Sequence, residues 1–178
     1  MSERSSGDLD KLERVTIHTD GGCNPNPGPG GWACVLTSGP YRKELKGGEL
    51  ATTNNRMELM AAVQALNALR KPCSVDLFTD SEYLQQGVTA WMPRWKENGW
   101  RRRVRRRWKP VKNEDLWRSI DKAASQHTIK WHWIPAHSGH TENEWCDKLV
   151  AQEIERIRAK YSPAELERAL SEFEQMQD

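Results

Sequence analysis

The chain has 178 residues, with 27 Lys and Arg against 25 Asp and Glu, and hence a formal charge of only +2. That length suits one domain, and no apolar run approaches the roughly 20 residues needed to cross a bilayer, so a membrane span is excluded. The first residues carry no apolar stretch of the secretory kind, and the four cysteines (Cys23, Cys34, Cys73, Cys146) form no CxxC pair. Both features predict a cytoplasmic protein with reduced thiols, neither a zinc site nor a disulfide framework.

A short polar arm, residues 1–12, precedes the first strand, in which Val15, Ile17 and Thr19 alternate with Thr16, His18 and Asp20. Residues 21–31, rich in Gly, Pro and Asn, read as a turn region. Trp32–Thr37 and Tyr41–Leu50 read as two further strands with a hairpin at Ser38–Pro40. Thr53-Asn54-Asn55-Arg56 opens a helix whose Leu59, Ala62, Val63, Leu66 and Leu69 recur at helical steps until Pro72 stops it. Val75–Thr79 is a short apolar strand ending at Asp80-Ser81, followed by a short helical pattern.

From Trp91 to Lys112, ten basic residues are opposed only by Glu97, so this segment carries +9 and the other 156 residues sum to −7. Trp91, Trp95, Trp100 and Trp108 fall in the same stretch. A like-charged block is commonly a solvated face or a localisation signal, but neither accounts for the tryptophans. Cations that neutralise phosphates, interleaved with flat aromatic surfaces, make a nucleic-acid contact element. Further on, Asn113–Ala124 reads as a helix and Thr128–Ile134 as a strand. Thr141-Glu142-Asn143-Glu144 reads as a capping box for a helix running to about Tyr161. Ser162-Pro163-Ala164-Glu165 reads as a second, opening a last amphipathic helix with Leu166, Ala169, Leu170 and Phe173. A hairpin meander followed by helical crossovers predicts an α/β fold, one mixed sheet with helices packed on it.

Four acids fit this frame poorly as mere surface charge. Asp20 and Asp80 each end a strand between a Thr and a small residue, where Asp serves equally as a turn-former or as a functional carboxylate. Glu58 precedes Ala62, Ala65 and Leu69 on one helix face, which puts it at the edge of the apolar stripe. Asp147 stands likewise with Val150, Ala151 and Ile154, a position that also suits an anion near a helix N-terminus. Acids on inward faces repel one another and titrate high unless a cation neutralises them. Hard oxygen ligands select Mg²⁺ or Mn²⁺ over Zn²⁺. Two such ions about 4 Å apart can activate a water and stabilise the leaving oxygen of a phosphodiester. With the basic segment, this suggests phosphoryl hydrolysis. Pattern alone does not show that the four acids converge.

Asp20-Gly21-Gly22-Cys23, Pro27-Gly28-Pro29-Gly30-Gly31-Trp32, Thr53-Asn54-Asn55-Arg56-Met57-Glu58, Thr79-Asp80-Ser81 and His137-Ser138-Gly139-His140 with Asn143-Glu144 and Asp147 resemble type 1 ribonuclease H in residue type, order and spacing. The basic segment, ending Trp108-Lys109-Pro110-Val111-Lys112-Asn113, looks like the substrate-binding protrusion of the bacterial enzymes. The resemblance implies a ribonuclease H-like fold over residues 13–160, a five-stranded mixed sheet flanked by helices, with residues 91–112 as the protrusion and 161–178 as a C-terminal helical extension. It implies an endonuclease that hydrolyses the RNA strand of RNA–DNA hybrids with two Mg²⁺ (or Mn²⁺) ions, leaving 5′-phosphate and 3′-hydroxyl ends. The expected protein is a monomer with no membrane partner.

Residue by residue, Asp20, Glu58, Asp80 and Asp147 match the family's metal-binding catalytic acids. His137 matches its mobile histidine, which assists proton movement or product release, a task that an imidazole on a polar loop suits. Cys23, Asn26, Asn54, Asn55 and Glu82 match groove positions, where contacts to 2′-hydroxyls tell RNA from DNA. Thr53 and Arg56 serve either a DNA phosphate or the bracing of their helix. Trp91 and Trp95 are expected at the packed base of the protrusion and Trp100 nearer the DNA strand, with core packing and direct contact both open. Arg101, Arg102, Arg103, Arg105, Arg106 and Arg107 make the run more basic than such protrusions usually are, which implies tighter, more salt-sensitive binding. The tail from Tyr161 docks either on the domain or on a partner.

Overall fold

In the computed structural model, which describes residues 12–177, the period-two pattern of β1 (Glu13–Cys23) buries Val15, Ile17 and Thr19 on one face of a sheet. β2 (Gly28–Ser38) and β3 (Tyr41–Thr52) follow as an antiparallel meander. α1 (Asn54–Asn67) crosses over to β4 (Cys73–Thr79), which pairs parallel with β1. After α2 (Glu82–Gln86), a π-helical turn at Gly87–Trp91 and α3 (Met92–Glu97), the chain forms a hairpin of β5 (Arg101–Val104) and β6 (Arg107–Pro110). α4 (Glu114–Ala124) leads to β7 (Thr128–Trp133), and α5 (Thr141–Lys160) and α6 (Pro163–Gln177) complete the chain. The main sheet has five strands in the order β3-β2-β1-β4-β7, so it is mixed, as expected.

Two cores lie on one side of the sheet and a third on the other. Ile17, Val75 and Leu77 pack against Ala65 and Leu66 of α1 and Ala123 of α4. Leu59, Leu84, Met92, Trp100, Leu116 and Trp117 form a second cluster beneath the basic hairpin. On the opposite face, Ala33 and Val35 meet Cys146, Leu149, Val150 and Ile154 of α5. All four cysteines are free. Among the described residues, no helix is long and apolar enough to cross a membrane. The expected N-terminal arm lies outside the described residues, apart from its last residue.

Several local expectations need correction. Residues 21–31 are not one turn: β1 runs on through Asp20 to Cys23, pairing with Gly30–Ala33, and only Asn24–Pro27 connects the strands. The glycines there serve close approach within a sheet, not a bend. A Cβ at Gly21 would overlap the backbone of Met57 and Glu58, so only glycine lets α1 press against β1. α1 stops at Asn67, short of Leu69. Thr141 is the first helical residue of α5 and not its cap; His140 holds that place without a side-chain cap. The second capping box forms as expected, with Ser162 Oγ accepting from the Glu165 amide at 3.3 Å and Glu165 accepting from the Ser162 amide at 2.8 Å.

The arginine run, for which no strand was expected, closes on Arg105 and Arg106, both with positive φ (45° and 68°). Positive φ at both central residues is the backbone of a two-residue hairpin turn, usually given to Asn-Gly. The tail docks on the domain: α6 packs over β3, and Phe173 is its buried anchor.

Candidate active site

β1 and β4 run parallel with Thr19 opposite Thr79. Asp20 and Asp80, one residue further along each chain, therefore stand side by side. The glycine contact at Gly21 brings Glu58 of α1 against the same spot. One carboxylate oxygen from each of Asp20, Glu58 and Asp80 lies within 4.8 Å of the others. Asp20 and Glu58 are buried and Asp80 is half-buried.

Such a cluster is electrostatically costly. Burial, and then the charges of Asp80 and Asp147, push the Asp20 carboxyl up to about 8. Burial and the charges of Asp20 and Asp80 raise Glu58 well above the usual carboxylate range. Glu58 Oε2 is buried without a hydrogen-bond partner. Three carboxylates held this close, one of them with an unpartnered buried oxygen, fit a divalent cation, which would supply the missing partner and cancel the repulsion.

Asp147 departs from the expectation. It is exposed on α5, not on an inward face, and it stands outside the three-carboxylate cluster. The helix stripe that buries Cys146 and Val150 turns Asp147 toward solvent, yet its charge still reaches Asp20. Asn143, one turn earlier, occupies the inward position: its Nδ2 donates to Asp80 Oδ2 at 3.2 Å, while its Oδ1 is buried and unpartnered. No role was assigned to Asn143 from the sequence. Its signal was an amide on the same helix face as Cys146 and Val150. Trp133 Nε1 donates to the Asp80 carbonyl at 3.1 Å and pins the backbone behind the carboxylate.

His137 is exposed on the loop between β7 and α5 and has a positive φ of 53°. Asn54, Asn55 and Glu82 are also exposed, the first two at the start of α1 and the third at the start of α2. Asn26 Oδ1 accepts from the Asn54 amide at 3.2 Å, tying the β1–β2 turn to α1. The half-buried Cys23 thiol faces the carbonyls of Pro25, Gly28 and Thr52, and burial pushes it up to about 11. Thr53 caps α1 by accepting from the Arg56 amide at 3.3 Å. Arg56 braces: it donates to both Asp115 oxygens, at 3.0 and 2.7 Å, and lies 3.4 Å from Asn113 Oδ1. Its pairing with Asp115 holds that carboxyl below the usual range.

Among the tryptophans, Trp100 departs from its expected place nearer the DNA strand. Tyr83, Trp91, Trp95 and Trp117 form a chain of ring contacts with centroids 5.3–5.8 Å apart. Tyr83, Trp91 and Trp95, with Arg102 and Lys112, line a cleft of about 310 Å³. Trp100 is buried, with the Arg118 guanidinium 4.9 Å from its ring centre, so it belongs to the packed base. Trp108 is the exposed member, at 48 %. Arg101, Arg102, Arg103, Arg105, Arg106 and Arg107 are all exposed on the hairpin.

A nuclease-like cluster of acids at the end of a mixed sheet, beside a cationic hairpin, thus defines the site. The RNase H family model matches residues 12–155, and the chain belongs to the ribonuclease H family. A ribonuclease H of Bradyrhizobium diazoefficiens is 52 % identical over 88 % of this chain and 100 % of its own length. Among solved structures, LC9-RNase H1, described as a type 1 RNase H with the type 2 active-site motif, superposes with a TM-score of 0.70 at 28 % identity, over 81 % of this chain and 73 % of its own. LC11-RNase H1, solved in complex with an RNA/DNA hybrid, gives 0.62 at 23 % identity, over 80 % and 97 %, and so shares the fold. The protein is a nuclease of this family.

Proposed function

We infer that the protein hydrolyses the RNA strand of RNA–DNA hybrids, leaving 5′-phosphate and 3′-hydroxyl ends, as a metal-dependent monomer of the cytoplasm. The observation that carries this reading is the convergence of Asp20, Glu58 and Asp80 within 4.8 Å, in a chain whose relatives are ribonucleases H. These three, with Asp147 at the solvent side, are the residues that would hold two Mg²⁺ (or Mn²⁺) ions. When bound, such ions supply activation of the attacking water and stabilisation of the leaving oxygen.

The chain's own residues supply the rest. Asp20 and Glu58 would hold a cation as carboxylates, the form that burial and the neighbouring acids otherwise disfavour. Asn143 fixes the rotamer of Asp80. His137, exposed on the loop between β7 and α5, would carry a proton toward or away from the leaving group. Asn54 and Asn55, at the exposed start of α1, offer amides to the 2′-hydroxyls of the RNA strand, the group that separates RNA from DNA. Trp91 and Trp95 offer apolar surface to the sugar–phosphate chain, and the hairpin arginines neutralise its phosphates without reading bases.

The test incubates the protein with labelled RNA–DNA hybrid, duplex DNA and duplex RNA, with Mg²⁺ or with EDTA, alongside Asp20→Asn. The expected result is cleavage of the RNA strand of the hybrid alone, abolished by EDTA and by the substitution. Cleavage of duplex DNA, or full activity in EDTA or in the variant, would overturn the reading.

A further inference from the structure

α6 lies beyond the matched segment, which ends at residue 155. Its apolar side docks on β3, and the helix runs on until its last turn reaches the groove surface. There Phe173, Glu174 and Met176 form one wall of a cleft of about 970 Å³, opposite Thr53, Asn113 and the cations Arg102, Lys109 and Lys112. Phe173 and Met176 also line a second cleft, of about 500 Å³, that contains Arg56 and Asp115. The end of α6 therefore flanks the Arg56–Asp115 brace that joins α1 to α4.

This position lies on the path of a bound polyanion. Thr53 precedes Glu58 by five residues, or about 7.5 Å of helix, roughly two nucleotide steps of a strand. A duplex with one phosphate at the carboxylates and its backbone on the basic hairpin has to cross the cleft between them. Glu174 is the one carboxylate among the described residues that line this cleft, and it faces three cations there. It is exposed, on a helix anchored one residue earlier by buried Phe173.

We propose that Glu174, held in place by the docking of α6, is an affinity-determining residue that weakens the grip of the cationic cleft on nucleic-acid backbone. The proposal rests on the hybrid-binding reading above. Phosphates entering the cleft meet the cations of the hairpin and the opposing charge of Glu174 together, so the residue lowers affinity and favours release, most strongly at low salt. The arginine-rich hairpin is thereby kept from holding its product.

The test compares Glu174→Gln with Glu167→Gln, the same charge change on the same face of α6 but two turns, about 10 Å, further from the cleft. Both variants keep a good helix former at an exposed site, so both fold. Binding of a fluorescent RNA–DNA hybrid is measured in the Asp20→Asn background, without divalent metal, at 0.05 and 0.5 M salt, and KM and kcat in the active background. Glu174→Gln should lower Kd and KM two- to fourfold at low salt, as expected for a like-charge pair about 10 Å apart in a medium close to water, and should slow product release, so that kcat does not rise with the tighter binding. The difference should shrink below twofold at high salt as screening shortens. Glu167→Gln should change little.

An unchanged or raised Kd in Glu174→Gln, or an equal drop in Glu167→Gln, would overturn the proposal while leaving hybrid hydrolysis standing. Failure of the unsubstituted protein to cleave hybrid, with the Glu174 effect on binding intact, would overturn only the hydrolytic reading.

Discussion

Removing one buried acid should make the metal-free protein more stable. Asp20 sits against Glu58 and Asp80, and its carboxyl is pushed from 3.8 up to about 8, chiefly by burial. The folded state therefore keeps a proton that the unfolded state releases near pH 4. Stability contributed by that proton is present below the unfolded pKa and is lost as pH rises from about 4 to about 8. Each pKa unit corresponds to about 1.4 kcal/mol, which sets a ceiling of about 5–6 kcal/mol; with relaxation and water entry, about 2–3 kcal/mol remains by pH 8. Asp20→Asn removes this penalty at similar volume. For a domain of this size it should raise Tm by about 5–10 °C at pH 8 in EDTA, and by little at pH 5. Mg²⁺ should raise Tm of the unsubstituted protein at pH 8, since a ligand that binds only the folded state stabilises it, and should raise that of the variant much less. Thermal melts across pH 5–8, with EDTA or Mg²⁺, read all four quantities. A variant that melts at or below the unsubstituted protein at pH 8 in EDTA would refute the argument that the cluster is frustrated without a cation.

Two other outcomes test the surroundings of the site. Replacing Arg101, Arg102, Arg103, Arg105, Arg106 and Arg107 by Ser should raise KM and flatten its salt dependence, because exposed cations on the hairpin release counterions when they meet phosphate; steady-state kinetics over a salt series checks this, and an unchanged KM would show that they face empty solvent. Gly87→Ala should destabilise by about 1–3 kcal/mol, because the added Cβ overlaps the fully buried Trp117 ring and loosens the aromatic cluster; urea unfolding measures it, and a neutral result would mean that the ring has room to move.

Elements made by contacts close in the chain were legible before any coordinates. The alternation in β1, the Thr53 cap and the Ser162–Glu165 capping box depend on neighbours within a few residues, and all three form. The arginine hairpin was not legible, because charge overrides the apolar alternation by which strands are read, and its turn uses two arginines where glycine would usually stand. Local pattern likewise read the glycines after Asp20 as a bend. Their partners are Trp32 and Gly31 across the sheet and α1 behind it, contacts that no short window of sequence contains.

By itself the sequence singled out Asp20, Glu58, Asp80 and Asp147 as the acids to watch, since each interrupts an apolar pattern or ends one. Tertiary structure alone decided that the first three meet. Parallel pairing of β1 with β4 sets Asp20 beside Asp80, and the missing side chain of Gly21 lets α1 carry Glu58 into the gap. It also turned Asp147 outward, put Asn143 in the inward place, buried Trp100 and laid α6 along β3 with Glu174 in the cationic cleft. A sequence states which groups are costly to bury or to expose. Which of them share that cost at one point in space depends on strand order and on how closely two backbones can approach.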